Sequence, residues 1–360
     1  MMNNTTLSKL FSAVHEALLG IDGSTIVFAN PAADSLFGTS LTGTAAKDVL
    51  PRELLETTAD SFVMATEIMG IEATVSVLRE DGLTLLFIER MQAEGFLYPI
   101  SRRIVSSLRG NAMGLKMAAD HCFSRLEDGK QPKEQHISML YHYYYRLLRT
   151  ITQVDSAASL ESGDILFSPV STDFIKLCSD ITDTVSSLRS GSDASISFTC
   201  SESELTAVVD PERIEQLLLN LLSNSLKHTT AGDHITVSLR RTGESIILSV
   251  DDDGDGIPQD KLSRLFKMPV SEQDLTNPDN SGGLGLYISF SIARLHKGVL
   301  LIESREGEGT HVRVMLPIDN APAPKFSTPG VAYHRSGISS VLTGLAEVLG
   351  SDCYGPKFED

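Results

Sequence analysis

VVDPERIEQLLLNLLSNSLKHTT, residues 208–230, is the most informative stretch of this 360-residue chain. Asp210 can act as an N-cap and Pro211 as the first helical residue, so a helix starts here. Asn220 and Asn224 stand four apart, which puts both carboxamides on one helix face. Lys227 and His228 follow one turn on. Taken alone, the segment reads equally well as an amphipathic helix with two solvated asparagines.

Three further stretches follow in order. IILSVDDDGDGIPQD (246–260) is a strand running into an acidic, glycine-rich turn. A buried Asp at such a strand end can accept a hydrogen bond from an adenine amino group, and Gly254 and Gly256 let the backbone approach a ligand closely. Acidic glycine loops also suit calcium, but this one lacks the D-x-D-x-D-G-x₅-E spacing. SGGLGLYISFSIARLHKG (281–298) places Gly282, Gly283 and Gly285 ahead of a helix bearing Leu286, Ile288, Ile292 and Leu295. Free N–H groups at a helix N-terminus favour phosphate. REGEGTHVRVMLP (305–317) is a glycine turn entering a strand.

The order of these four motifs resembles the Bergerat-type ATPase domain of sensor histidine kinases, the GHKL superfamily, over about residues 165–318. The asparagine helix resembles that family's Asn box, and VDDDGDGIP, GGLGL and EGEGT resemble its three glycine boxes. The resemblance implies ATP and Mg²⁺ as cofactors. By it Asn220 holds Mg²⁺, Asn224 sits in the phosphate site, and Lys227, with His228 beside it, meets phosphate. Asp252 binds adenine, Gly254 and Gly256 shape the turn, Gly283 and Gly285 carry the lid hinge and phosphate contacts, and Thr310 fixes adenine through water. There are departures: Ser281 replaces the first Gly of G-x-G-L-G-L, the aromatic box is reduced to Leu265-Phe266, and Gln216 occupies a position that is often Glu. Gln216 is the catalytic candidate in this domain.

Elsewhere, residues 1–92 read as strand, strand, short helices, strand, strand, a small α+β sheet domain. ALLGID and TIVFAN form a hairpin, PAADSLFG a short helix ending at Gly38, and ATVSVLRE and LTLLFIER a second hairpin turning at Asp81-Gly82. LLGIDGSTIVFANPAADSLFG resembles a PAS sensor domain. No Cys precedes Cys122, which excludes flavin–cysteinyl photochemistry there.

Residues 97–160 carry two apolar series at helical spacing, Ile104 to Leu126 and Ile137 to Val154, with Gly129 and Pro132 between them. A helical hairpin with two such stripes is expected to pair with a second copy as a four-helix bundle, giving a homodimer. This hairpin stands where the family has its phosphoacceptor domain. The acceptor motif H-E-x-R-T-P-L is SSLRGNA at 106–112, so Ser106 replaces the acceptor His, and Ser107 the acid beside it. His121 and His142 are the alternative acceptors; neither has an adjacent carboxylate C-terminal to it. Residues 319–360 join a Pro-rich linker to an amphipathic tail helix at about 337–349, which is expected to dock because it is too short to stand alone.

The expected architecture is a multidomain α+β chain: a PAS-like sheet domain, a helical hairpin forming a dimeric bundle, and an α/β-sandwich ATPase domain. Lys plus Arg number 30 against 47 Asp plus Glu, a net charge of −17 that repels nucleic acid and anionic membranes. No apolar run reaches the ~18–20 residues of a membrane span. The four Cys form no C-x-x-C, and the N-terminus is a poor secretion signal, so a cytoplasmic setting is expected. Two functions follow as alternatives. One is a cytosolic, ATP-binding, histidine kinase-like signalling protein of a two-component system, with a response regulator as partner. The other is an ATP-sensing dimeric scaffold that has lost histidine autophosphorylation.

Overall fold

The computed structural model describes residues 16–80, 82–90, 97–188, 194–262, 265, 283–318 and 339–354. The N-terminal hairpin forms as expected from β1 (Ala17–Asp22) and β2 (Thr25–Ala29), with Asp22 opposite Thr25. Asn30 pins the helix that follows. Its side-chain oxygen accepts from the Leu18 and Ala33 amides at 2.9 Å, capping α1 (Pro31–Phe37), which ends at Gly38 in the left-handed region. After α2 (Arg52–Glu56) come β3 (Ser61–Ile68), β4 (Ile71–Glu80) and β5 (Leu83–Arg90).

Strand β3 is absent from the sequence reading, and its burial says why. Phe62 to Thr66 are all buried, with no alternation to betray a strand. Strands covered on both faces read this way. Here β3 lies in the middle of a ten-stranded sheet of order β2-β1-β5-β4-β3-β11-β12-β10-β9-β7, in which β7 is Ser195–Cys200, β9 His234–Thr242, β10 Ser245–Asp252, β11 Val299–Arg305 and β12 Gly309–Pro317. The N-terminal five strands thus continue into the C-terminal five. The seam is antiparallel, with Met64 opposite Leu301 and Val63 opposite Ile302. Ion pairs Arg294–Glu72 (2.5 Å) and Arg305–Asp60 (3.8 Å) also link the two halves.

The C-terminal half contains β6 (Val170–Asp173) paired with β8 (Thr206–Val209), α5 (Phe174–Leu188) and β7 (Ser195–Cys200), which is parallel to β9. It continues with α6 (Pro211–His228), β9 (His234–Thr242), β10 (Ser245–Asp252), α7 (Gln259–Leu262), α8 (Gly283–Leu295), β11 (Val299–Arg305) and β12 (Gly309–Pro317). Leu217, Leu218 and Leu222 of α6, Ile181 of α5 and Ile288 and Ile292 of α8 share one core with Val237, Leu248 and Val314 of the sheet. Helices therefore cover one face of this half-sheet, the sandwich expected.

The hairpin is α3 (Leu97–Glu127) and α4 (Glu134–Ser162). Its packing differs from the expected stripes. On α3 the buried positions are Asn111, Gly114 and Ala118, with Gly114 against the Tyr143 ring, while Leu126 of the expected stripe is exposed. At Gly114 a side chain would strike the Tyr143 ring of α4. On α4, Tyr141, Tyr144, Tyr145 and Leu148 pack against the core of the C-terminal half, so part of its apolar face is covered by the same chain. Val105, Met113, Met117 and Phe123 remain exposed on α3.

The tail docks, but its helix is shorter than expected: α9 covers only Ser340–Gly344, capped by Ser339, and a turn and a 3₁₀ segment (Ser351–Cys353) follow. Val341, Leu342, Leu345 and Leu349 are all buried; Ile338 lies outside the described residues.

Candidate functional site

Helix α6 begins as its sequence dictates. The Asp210 side chain accepts from the Glu212 and Arg213 amides (3.1 and 3.3 Å) and also from the Ser168 amide (2.8 Å). With its start fixed, α6 presents Asn220 and Asn224 one turn apart, with Ser225 next to Asn224. Asn220 is buried, and its side-chain amide donates to the Gly285 carbonyl of α8 at 3.4 Å. Asn224 is half-buried; at the C-terminal end Lys227 and His228 are exposed.

The glycine-rich stretch before α8 needs one correction. The helix begins at Gly283, so Gly285 lies within its first turn instead of preceding it. The first turn of α8, whose N–H groups have no partner within the helix, thus meets Asn220 at Gly285. Gly282, Ser281 and Phe266 lie outside the described residues.

At the other end of α6, Asp252 closes β10. It is buried, directly opposite Thr310 on β12, and Gly254 donates to its carboxylate at 3.3 Å. Burial pushes its pKa above the ordinary carboxylate value, against hydrogen bonds from Ser225, Gly254 and Thr310 that pull it down. Ser225 carries no motif signal in the sequence beyond its place one residue after Asn224. Ser304 is another functional residue that sequence reasoning misses. Its hydroxyl donates to the Gly309 carbonyl (2.7 Å), accepts from the Ile257 amide (2.8 Å) and meets the Thr310 hydroxyl (3.0 Å), bracing the first glycine turn against the third.

The glycines of the acidic turn have a structural duty beside the expected ligand one. A side chain on Gly254 would strike the His228 carbonyl, which accepts from the Asp255 amide (3.2 Å). Gly256 has φ +66°, and a side chain there would strike the Arg305 carbonyl. His228 therefore acts on this turn through its backbone.

The catalytic candidates separate. Gln216 donates to the Ser156 hydroxyl of α4 at 2.9 Å and accepts from Arg213 at 3.1 Å, so it ties the hairpin to α6. His121 is exposed and stacks on His136 across the hairpin, ring centroids 5.1 Å apart. His142 lies edge-on to Tyr143 and Tyr354. Ser106 and Ser107 are exposed on α3, and Ser107 approaches α4 at Thr150 (3.5 Å). The structure thus brings together Asn220 with Gly285, and Asp252 with Ser225, Gly254 and Thr310. It leaves His121 and His142 in other packing environments.

The donor chemistry fits a magnesium nucleotide. Asn220 offers a carboxamide oxygen, the hard ligand type that Mg²⁺ accepts alongside phosphate and water. Asp252 offers a buried acceptor, and the first turn of α8 offers N–H donors to phosphate. Among the described residues no group of three or more His, Cys, Asp or Glu could hold a metal, and no helix is long and apolar enough to cross a membrane.

Residues 209–320 match the model of the histidine kinase-, DNA gyrase B-, and HSP90-like ATPase family. An uncharacterized sensor-like histidine kinase of Rhizobium meliloti is 29% identical over 269 residues, 71% of this chain and 50% of that protein. The adaptive-response sensory kinase SasA of Parasynechococcus marenigrum is 28% identical over 69% of this chain and 63% of that one. A bacteriophytochrome of Pseudomonas aeruginosa is 32% identical over 55% of this chain and 27% of its own length. The chain spans less than two thirds of the length of these relatives. Among solved structures, the histidine kinase ThkA in complex with the response regulator TrrA is 17% identical, covering 86% of this chain and 98% of that one with a TM-score of 0.43.

Proposed function

We propose, from the membership of residues 209–320 in the histidine kinase-type ATPase family, that this relative of sensor histidine kinases is a cytoplasmic Mg-ATP-binding signalling protein of a two-component system. The observation that carries the reading is the convergence of Asn220 with Gly285, and of Asp252 with Ser225 and Thr310, along the C-terminal half of one helix, α6. Asp252 accepts the adenine amino hydrogen, with Thr310 and Ser225 orienting the carboxylate. Asn220 ligates the metal, Asn224 and Lys227 approach the phosphates, and Gly283 and Gly285 supply N–H donors. Bound Mg-ATP supplies a transferable phosphoryl group whose charge the metal offsets.

Residues 17–90 support a PAS-like sensor reading through the antiparallel order β2-β1-β5-β4-β3 and the Asn30-Pro31 helix start. The exposed Val105, Met113, Met117 and Phe123 of α3 support a homodimer through the hairpin, since a second copy would remove them from water. A response regulator is the partner that the two-component reading implies.

A second reading is favoured by one observation: the acceptor position is Ser106, exposed and without a carboxylate beside it. In that reading the protein senses ATP as a dimeric scaffold and does not phosphorylate itself on histidine. Calorimetry tests the binding shared by both readings. Mg-ATP should give a saturable heat that falls in Asp252→Asn; absence of heat at millimolar Mg-ATP contradicts both. Light scattering at micromolar protein should return the mass of a dimer, and a monomer contradicts the bundle.

A further inference from the structure

Residues 339–354 touch three elements at once. Val341, Leu342, Leu345, Ala346 and Leu349 are buried in the core that also holds Leu219 of α6 and Tyr145 of α4. Gly344 lies so close to Leu219 that an added Cβ would come within 3.0 Å of the Leu219 Cβ. Ser340 donates to the Glu215 carboxylate of α6 at 2.5 Å, and the Cys353 thiol meets the Leu188 carbonyl of α5 at 3.5 Å. On the hairpin side, Tyr354 is 1% exposed and packs on Tyr145 and His142 of α4, each with ring centroids 5.4 Å away. Glu347 faces Arg149 of α4 across 3.9 Å, and Arg149 is itself 5% exposed.

These contacts join the hairpin to the ATPase half from outside the sheet. A segment of this length is too short to be a stable helix by itself, so it holds its shape only while both surfaces hold it. The reverse also follows: while it is docked, α4 and α6 cannot part without stripping several buried side chains into water. We propose that residues 339–354 are an intramolecular strap that fixes the ATPase half against α4, and that undocking the strap frees the two to separate. Nearer the nucleotide site, α4 also meets the ATPase half directly: Gln216 bonds Ser156, and Ala157 packs beside Leu284 and Tyr287 of α8.

The consequence for signalling rests on the nucleotide reading above. With the strap docked, the Asn220–Gly285 end of the site faces Gln153 and Ser156 of α4, while Ser106 stands on α3. The strap would hold a bound phosphate against a helix surface that offers it no nucleophilic histidine.

The test needs no nucleotide, so its failure and failure of the ATP reading are distinguishable. Cysteines are placed at Ser156 and Gln216, the pair bonded across the interface at 2.9 Å. Disulfide formation is timed in the full-length protein. The strap is released in two ways: Tyr354→Ala removes a buried ring, and Glu347→Lys sets a cation against Arg149 while leaving every buried side chain in place. Hydrogen exchange over 341–349 reports release, and circular dichroism reports that the fold persists. Once the strap exchanges freely, the 156–216 disulfide should form at least about tenfold more slowly than in the parent, the response to a single-site loss of ordinary size. An unchanged rate in a folded variant with a freely exchanging strap overturns the proposal and leaves the segment as local packing.

Discussion

The proposed nucleotide site keeps much of the pattern that the sequence resembles, whereas the segment of the hairpin at the acceptor position departs from it. Around Asp252 nearly every expected part is present and mutually braced: Thr310 lies opposite, Ser225 and Gly254 bond the carboxylate, and Ser304 locks the two glycine turns together. Around residue 106 the nucleophile, its neighbouring acid and the orienting Thr are gone together, leaving Ser106, Ser107 and Gly110 on an exposed helix face. The contrast is the ground for the proposed reading in which nucleotide binds without transfer to histidine.

The contrast can be broken most severely at the glycine turn. Gly256→Val forces a β-branched residue into φ +66° and against the Arg305 carbonyl. It should cost about 2–4 kcal/mol of stability by denaturant titration, whereas Gly110→Val on the hairpin, with open space around it, should cost under about 1 kcal/mol. Similar losses at both positions would erase the distinction. Next in size, Asp252→Asn exchanges a buried carboxylate acceptor for an amide with one acceptor oxygen. Calorimetry should show Mg-ATP affinity lower by about 10–100-fold, the worth of a hydrogen bond to a charged group. An unchanged affinity would remove Asp252 from the adenine site.

Part of this asymmetry is legible in the amino-acid sequence. Asp210-Pro211, the asparagine spacing and the tight glycine turns are local signals, and each element they mark forms where expected. What stays hidden is tertiary. Strand β3 cannot be read from alternation because β4 and β11 pair with its edges and both its faces are buried. On α3 the Tyr143 ring fills the space at Gly114, so Asn111, Gly114 and Ala118 are more buried than most of its periodic Ile and Leu series, of which Ile104 packs beside Ala157. Gln216 reads as a catalytic replacement in sequence, yet its partner Ser156 is 60 residues away on another helix. The tail's apolar spacing is legible; the turn after Gly344 is not, because Leu219 decides how the chain can continue there.

A smaller effect sharpens the hairpin side. Burial, with Arg146 nearby, lowers the pKa of His142 beneath Tyr354. A histidine whose folded pKa is depressed contributes stability that is present above its unfolded value of about 6.5 and is lost as pH falls through the folded pKa. Strap docking, followed by hydrogen exchange over 341–349, should therefore weaken as pH falls below about 6.5. His142→Gln should flatten that dependence; an equal pH dependence in the variant would assign it to another group.

The smallest expected effect is at the acceptor position itself. Neutral imidazole is nucleophilic near neutral pH, whereas a serine hydroxyl needs a positioned base, and Ser107 supplies none. The decisive measurement is incubation of the full-length protein with γ-labelled ATP and Mg²⁺, followed by separate acid and base treatment. The site geometry predicts nucleotide binding with no acid-labile, base-stable label on the wild type, and no change in Ser106→Ala. Such a label on the wild type that disappears in His121→Ala or His142→Ala would contradict this and establish an active histidine kinase with a relocated acceptor.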